Sequence, residues 1–286
     1  MAHTEPQIGR YIHLEVEGID YRVYYEENGQ GIPLVCQPTA GADGQQFRHV
    51  ITDPDITAKY RVLVFDLPYH GKSQPPASIK WWAQDYVLRK NWLFAFHEAL
   101  NKALGLPRGV YMGSSVSGHF ALDLAVERPD LYRAVIGLEA GLGGEGAGRL
   151  TYYRHPRVNA GDYNRVAMQA VCAPSDSEAN KWEVCWAYGQ GAPGILQGDI
   201  AYWCVGHDVR ETVHLIDLKR CAVYVMNGEY DCVTGFPEGE AVVAKNPGIK
   251  WVPMHKLGHF PMTGNYPEFK KYILPVLDEI AATLFK

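Results

Sequence analysis

The chain has 286 residues, of which 47% are hydrophobic and 21% charged, and its formal net charge is -5. These are the values of a globular protein and exclude extended disorder. The 27 lysines and arginines are scattered along the chain, so there is no basic stripe and nucleic acid is not an expected partner. Residues 1–10 are polar, and no segment approaches the roughly 20 apolar residues that cross a bilayer. We therefore expect a cytoplasmic protein with no membrane partner.

The predicted elements alternate between strands and helices along most of the chain. Residues 11–17 and 19–26 alternate apolar and polar side chains across Gly18, which predicts an antiparallel hairpin. Short apolar runs predict six strands covered on both faces, at residues 32–36, 60–65, 109–112, 134–138, 221–226 and 250–252. Helices are expected at residues 81–104, 117–127 and 268–285. This order predicts an α/β fold with a mostly parallel central sheet flanked by helices.

One segment, residues 141–218, breaks the alternation. It opens with glycines at positions 141, 143, 144, 146 and 148, has no convincing buried strand and is rich in aromatic residues. Because it is too long for a plain loop, we expect a helical cap inserted into a core domain of residues 1–140 and 219–286. Its aromatic side chains, among them Tyr153, Trp182 and Trp186, are candidates for a substrate pocket, as is Thr39 of the core domain, and such a pocket would favour an aromatic or cyclic small molecule. The alternative is that they only pack the cap onto the core.

Metals and cofactors are not expected. The six cysteines form no close Cys-x-x-Cys pair and are interpreted as small core residues in a reducing compartment. Histidines and carboxylates show no metal-ligand spacing, and the glycine run lacks the strand and helix of a phosphate-binding loop. A small-molecule substrate is the expected partner, and formation of a homo-oligomer is possible.

The run from Val110 to Gly118 predicts a nucleophile at Ser115, where a buried strand turns sharply into a helix. Such a turn requires small neighbours, and Gly113 lies two residues before the serine. The usual pattern is Gly-x-Ser-x-Gly, and here Ser117 replaces the second glycine and Gly118 follows it. The substitution is small enough to leave the turn possible.

A serine nucleophile needs a base that is itself oriented by a carboxylate. Asp231 follows the strand at 221–226, and His259 lies in the loop after the strand at 250–252. Each has an ordinary alternative, as a turn residue and as a solvated loop histidine. The joint arrangement, with three residues after three different strands in the order Ser, Asp, His, favours a catalytic triad.

These features together resemble the α/β-hydrolase superfamily. The resemblance rests on residues 113–118, 65–73, 228–231 and 258–261, the second of which is similar to the Asp-x-Pro-x-His-Gly-x-Ser turn of that family. It implies Ser115 as nucleophile, His259 as base and Asp231 as orienting acid. Glu139, which follows the strand at 134–138, is an alternative acid, and Glu229 is a third candidate.

Two backbone amides are expected to form an oxyanion hole. The first is that of Val116, at the start of the helix after Ser115. The second comes from the loop after the strand at 32–36, where Pro38 and Thr39 replace the family's usual His-Gly pair and Ala40 becomes the expected donor. The Thr39 hydroxyl would either add a donor there or cap the loop.

The leading reaction is hydrolysis of a carboxylic ester or lactone through an acyl-enzyme, because a serine at this turn is the usual acyl acceptor. Carbon-carbon bond hydrolases of the same fold share the triad, and acyl transfer to another acceptor needs the same residues. A noncatalytic small-molecule-binding homologue is the remaining alternative.

Overall fold

A computed structural model describes residues 8–144, 146 and 160–285. Eight strands form one sheet in the order β1-β2-β4-β3-β5-β6-β7-β8. The strands are β1 (Gly9–Val16), β2 (Ile19–Asn28), β3 (Ile32–Gln37), β4 (Tyr60–Phe65), β5 (Val110–Ser114), β6 (Ala134–Leu138), β7 (Ala222–Gly228) and β8 (Lys250–Met254). The predicted hairpin is antiparallel, β2 pairs antiparallel with β4, and the other neighbours are parallel. The predicted α/β fold is confirmed.

Helices connect the strands on both faces of the sheet. They are α1 (Arg48–Ile51), α2 (Pro54–Thr57), α3 (Lys90–Ala103), α4 (Val116–Glu127), α5 (Ala160–Gln169), α6 (Glu178–Tyr188), α7 (Ile195–Ala201), α8 (Phe236–Lys245), α9 (Pro261–Gly264) and α10 (Tyr266–Leu284). A π-helical turn, Tyr202–Gly206, continues α7. None of the helices in the described ranges is both long and apolar enough for a membrane span.

The predicted helix at 81–104 is wrong in its first part. Trp81–Ala83 form a single 3₁₀ turn, the next residues are extended, and the α-helix begins only at Lys90. The extended stretch bonds to α7 instead of to itself, since the Leu88 amide donates to the Gly198 carbonyl at 3.0 Å. A tertiary contact has thus replaced helical hydrogen bonds that the apolar pattern alone favoured.

The alternation of side chains along the strands builds a core on each face of the sheet. On one face Val35, Tyr111 and Val135 pack with α3 and α4. On the other face their strand neighbours, such as Met112 and Ile136, pack with α1, α2 and α10. Because both faces are covered, the polar residues that follow the strands collect at the carboxyl edge of the sheet.

The part of segment 141–218 that the structure describes is largely helical and lies against the loop after β3. A Cβ atom at Gly41 would come within 2.9 Å of the Leu196 side chain on α7, and Gly41 has a φ of +70°. Glycine is therefore needed at this position for two reasons, its left-handed backbone and the close approach of α7.

Candidate active site

Ser115 lies in the turn between β5 and α4 with φ 56° and ψ -119°. A side chain in this conformation is strained, and such strain is characteristic of functional positions. A Cβ atom at Gly113 would lie 2.3 Å from the Ser117 carbonyl oxygen, and one at Gly118 would lie 2.1 Å from that of Leu138. Both glycines are thus required by backbone contacts.

The departure at Ser117 is accommodated by a hydrogen bond. Its hydroxyl donates to the carbonyl oxygen of Pro38 at 2.5 Å, and the side chain is buried. Ser117 therefore joins the turn at Ser115 to the loop after β3. A glycine at this position could not form this hydrogen bond.

Ser115, His259 and Asp231 form a continuous hydrogen-bonded chain. The distance between Ser115 Oγ and His259 Nε2 is 2.9 Å, and that between His259 Nδ1 and Asp231 Oδ2 is 2.8 Å. A carboxylate beside Nδ1 keeps the proton on that nitrogen, so Nε2 is free to accept the serine proton. The histidine is 5% exposed and the aspartate 8%, so water does not weaken the two bonds much.

Asp231 is held in its ionised form. Burial by itself would raise its pKa, but His259, a bond from Glu139 and the Val233 amide at 2.8 Å together hold the pKa well below the usual range. The Thr234 hydroxyl donates to the same carboxylate at 3.1 Å. These neighbours together fix the orientation of the Asp231 carboxylate.

Glu139, the alternative acid, does not contact the histidine and supports Asp231 instead. It is completely buried with φ 52°, and its two carboxyl oxygens lie 3.1 and 3.0 Å from the Gly228 amide nitrogen. Burial, and then the charge of Asp231 and a hydrogen bond to it, raise the Glu139 pKa well above its ordinary value. A pKa raised in this way favours the neutral, protonated carboxyl group at Glu139.

The residues expected to form the oxyanion hole lie beside Ser115. Val116 is the first residue of α4, where backbone amides have no partner within the helix. Ala40 lines the same cavity as Ser115 and His259. Thr39, by contrast, is buried with its hydroxyl within 3.0 Å of Gln46 Oε1 and 2.5 Å of the Tyr188 hydroxyl. Thr39 is not among the described residues that line this cavity, so the structure favours its role of fixing the loop over those of oxyanion donor and pocket residue.

A cavity of about 340 Å³ opens at Ser115. Its described walls are mostly apolar and come from both the sheet edge and segment 141–218. They are formed by Ala40, Ala167, Met168, Ala170, Val171, Tyr188, Leu196, Ile200, Trp203, Cys232 and Val233, together with Ser115 and His259. Apart from His259, these residues include no histidine, lysine, arginine, aspartate or glutamate. The volume is at the lower end for small-molecule sites.

Two of the aromatic residues expected in the pocket are elsewhere. Trp182 and Trp186 on α6 are 55% and 54% exposed, and neither lines the cavity. The Trp182 indole donates to Glu178 Oε1 at 2.9 Å, one helical turn away, so the ring lies along the outer surface of α6. Tyr153 lies outside the described residues. The prediction that Trp182 and Trp186 line the pocket was wrong. Helical spacing shows that two residues lie on the same face of a helix, but it does not show which way that face points.

Sequence reasoning missed the apolar residues that do line the cavity and one buried carboxylate beside it. Met168, Val171, Leu196 and Ile200 were not singled out, although each is apolar within an otherwise mixed segment. Asp199 was also missed, and it is 1% exposed. The sequence does contain a signal for it, namely a single aspartate within the mostly apolar helix α7. A carboxylate buried in such a helix requires hydrogen-bonding or charged partners, so its position indicates a polar contact.

Other histidines near the site have separate partners. His119 stacks on the ring of His207 at a centroid distance of 4.9 Å and accepts from the Gly141 amide. His255 is exposed and lies 3.5 Å from Glu229. Within the ranges that the structure covers there is no group of three or more His, Cys, Asp or Glu residues placed to hold a metal ion.

Comparison with known proteins agrees with this architecture. Residues 32–156 match the family model described as the alpha/beta hydrolase fold. A 2-hydroxy-6-oxononadienedioate/2-hydroxy-6-oxononatrienedioate hydrolase of Burkholderia vietnamiensis (strain G4 / LMG 22486) is 29% identical over 147 residues, which are 50% of this chain and 49% of the relative. The match thus spans about half the length of that curated relative.

Solved structures are similar over nearly the whole chain. A thermophilic esterase from Thermogutta terrifontis superposes with a TM-score of 0.82 at 16% identity, covering 95% of this chain and 99% of its own. The enol-lactonase from Burkholderia xenovorans LB400 gives 0.77 at 15% identity, with 93% and 100% covered. At these identities the likeness concerns the fold. With the family match, it shows that the chain has the alpha/beta hydrolase fold.

Proposed function

We propose that this protein is a serine hydrolase that cleaves a compact, uncharged carboxylic ester or lactone through an acyl-enzyme on Ser115. The observation that carries the proposal is the chain of hydrogen bonds from Asp231 through His259 to Ser115, which ends at an apolar cavity. A serine hydroxyl becomes a useful nucleophile when a base accepts its proton during attack. The geometry supplies that base within hydrogen-bonding distance.

In the proposed reaction, Ser115 Oγ attacks the substrate carbonyl carbon while its proton passes to His259 Nε2. The resulting imidazolium is stabilised by the ionised Asp231 and then protonates the departing alcohol oxygen. Water attacks the acyl-enzyme by the reverse route and releases the acid. The Val116 and Ala40 amides are the proposed donors to the oxyanion in both steps.

The chemistry of the cavity wall supports an uncharged substrate. The relatives named as hydrolases of 2-hydroxy-6-oxononadienedioate act, by that name, on a compound with two carboxylates. A dianion would need cationic or hydrogen-bonding partners to offset its desolvation. Among the described residues that line this cavity, none is a lysine or arginine. The aromatic rings of Trp203 and Tyr188 instead suit a ring-containing or otherwise compact apolar group.

Cleavage of a carbon-carbon bond is the second candidate, because carbon-carbon bond hydrolases of this fold use the same triad and the sequence relatives are named as hydrolases of a 6-oxo dicarboxylate. A substrate panel separates the two. We expect 4-nitrophenyl butyrate or dihydrocoumarin to be turned over with a higher kcat/KM than 4-nitrophenyl palmitate and 2-hydroxy-6-oxononadienedioate, and Ser115→Ala to abolish each activity. A clear preference for the dicarboxylate would favour the second candidate. Turnover that persists in Ser115→Ala would refute both.

A further inference from the structure

Asp199 lies where segment 141–218 meets the loop after β3, and it binds three groups at once. Its Oδ2 accepts from the Gly41 amide at 2.7 Å and lies 2.8 Å from His70 Nε2. Its Oδ1 accepts from the Tyr86 hydroxyl at 3.0 Å. The side chains of Asp199 and His70 are 2% and 1% exposed. Such a cluster is therefore sheltered from solvent and fully hydrogen-bonded at the carboxylate.

The partners of His70 identify this contact as an ion pair. Its Nδ1 lies 2.9 Å from the Pro68 carbonyl oxygen, which can only accept, while Nε2 faces the Asp199 carboxylate. Both ring nitrogens must then carry a proton, which makes the ring an imidazolium. Burial alone lowers the His70 pKa, but Asp199 and more distant Asp66 raise it above the ordinary value overall. The carboxylate that neutralises the His70 charge therefore belongs to segment 141–218.

The loop held by this pair contains the proposed oxyanion donor. The amide of Thr39, on one side of Ala40, donates to Gln46 Oε1 at 2.9 Å, and the amide of Gly41, on the other side, donates to Asp199. Ala40 is therefore fixed between two anchored residues. A displacement of about 1 Å at a reacting centre can cost on the order of a hundredfold in rate.

We propose that Asp199, paired with His70, is a positioning residue that orients the Ala40 amide toward the reacting carbonyl, so that segment 141–218 completes the oxyanion hole. The kinetic part of this inference rests on the proposed function. The structural part, that Asp199 holds the loop in place, does not. Both parts distinguish Asp199 from residues that only stabilise the fold.

The chain offers a matched control in a second buried pair between the core and the same segment. Asp123 on α4 lies 2.8 Å from His207 Nδ1, and both side chains are completely buried. Asp123 also bonds the Tyr202 hydroxyl, which parallels the contact of Asp199 with Tyr86. No hydrogen bond joins Asp123 to the described loop after β3. Asp123→Asn thus removes the same kind of charge at the same kind of interface.

The test compares amide hydrogen exchange of residues 39–43 in ligand-free wild type, Asp199→Ala, Asp199→Asn and Asp123→Asn, followed by ester kinetics. We expect faster exchange in this loop in Asp199→Ala, a smaller increase in Asp199→Asn because its amide oxygen still accepts from Gly41, and none in Asp123→Asn. In parallel, kcat should fall about tenfold to a hundredfold in Asp199→Ala with little change in KM, less than the loss of a donor itself. If Asp199→Ala does not fold, the Asn variant and Tyr86→Phe provide the same comparison.

Unchanged loop exchange in folded Asp199 variants would overturn the inference. Faster exchange with unchanged kcat, or an equal effect of Asp123→Asn on the loop, would overturn it as well. If the wild type does not hydrolyse any ester, the proposed function fails, and the exchange measurement alone still decides whether Asp199 positions the loop.

Discussion

Replacing Glu139 by glutamine tests the protonation state of the second carboxyl group at the site. Glu139 is buried against Asp231 and the Gly228 amide, and its pKa is raised well above the ordinary value, chiefly by burial and by the Asp231 charge. Glutamine has nearly the same shape, can donate to Asp231 and can accept from Gly228, but it does not titrate. Glu139→Gln should therefore preserve the folded structure while removing one proton equilibrium.

The sign and size of the effect follow from linkage. Above the ordinary glutamate pKa of about 4.3, the unfolded chain has released the Glu139 proton and the folded protein has kept it. The wild type then loses about 1.4 kcal/mol of unfolding free energy per pH unit from this group, until the pH reaches the raised folded pKa. The glutamine variant loses none. The stability of Glu139→Gln relative to wild type should therefore increase as the pH rises from about 4.5 toward neutrality.

Urea unfolding of both proteins at several pH values between 4.5 and 7.5 measures this difference. Glu211→Gln is a suitable control, because the Glu211 side chain is 92% exposed and a charge this exposed contributes little to the unfolding free energy. A Glu139→Gln difference that is flat across the range would refute the reasoning, since Glu139 would then be ionised in the folded protein.

Three further substitutions test other parts of the account. Asp231→Asn should lower kcat by about 10⁴-fold in steady-state kinetics, because an amide no longer fixes the His259 tautomer, and a loss below tenfold would show that another group orients the histidine. Gly118→Ala should lower the unfolding free energy by at least about 1–3 kcal/mol in urea, since its Cβ would lie 2.1 Å from the Leu138 carbonyl oxygen, and unchanged stability would contradict that contact. Iodoacetamide should inactivate the wild type but not Cys232→Ala, because Cys232 is the exposed cysteine of the six and lines the cavity. Equal inactivation of both proteins would place the sensitive thiol elsewhere.

The sequence predicted the sheet well because its signals are local. Alternation across Gly18 predicts the hairpin, and short apolar runs predict the buried parallel strands, each within a few residues of its observed bounds. The start of α3 was missed because Tyr86 and Leu88 form hydrogen bonds to α7, a contact between distant parts of the chain. No local pattern contains that information.

The same distinction applies to the site. Ser115, Asp231 and His259 could be proposed from the sequence because each follows a predicted strand, and parallel strands bring their carboxyl ends to one edge. The role of Glu139 beside Asp231 could not be predicted from the sequence, because it depends on their proximity in the folded chain. The outward direction of Trp182 and Trp186 depends likewise on how α6 packs.

The most direct test of the central claim is to trap the acyl-enzyme. Wild-type protein mixed with 4-nitrophenyl butyrate and quenched with acid within milliseconds should show, by intact mass, one added butyryl group, and peptide mapping should place it on Ser115. Ser115→Ala should show no adduct and no turnover. Ester hydrolysis with the butyryl group on another residue, or hydrolysis that continues in Ser115→Ala, would contradict a Ser115 nucleophile.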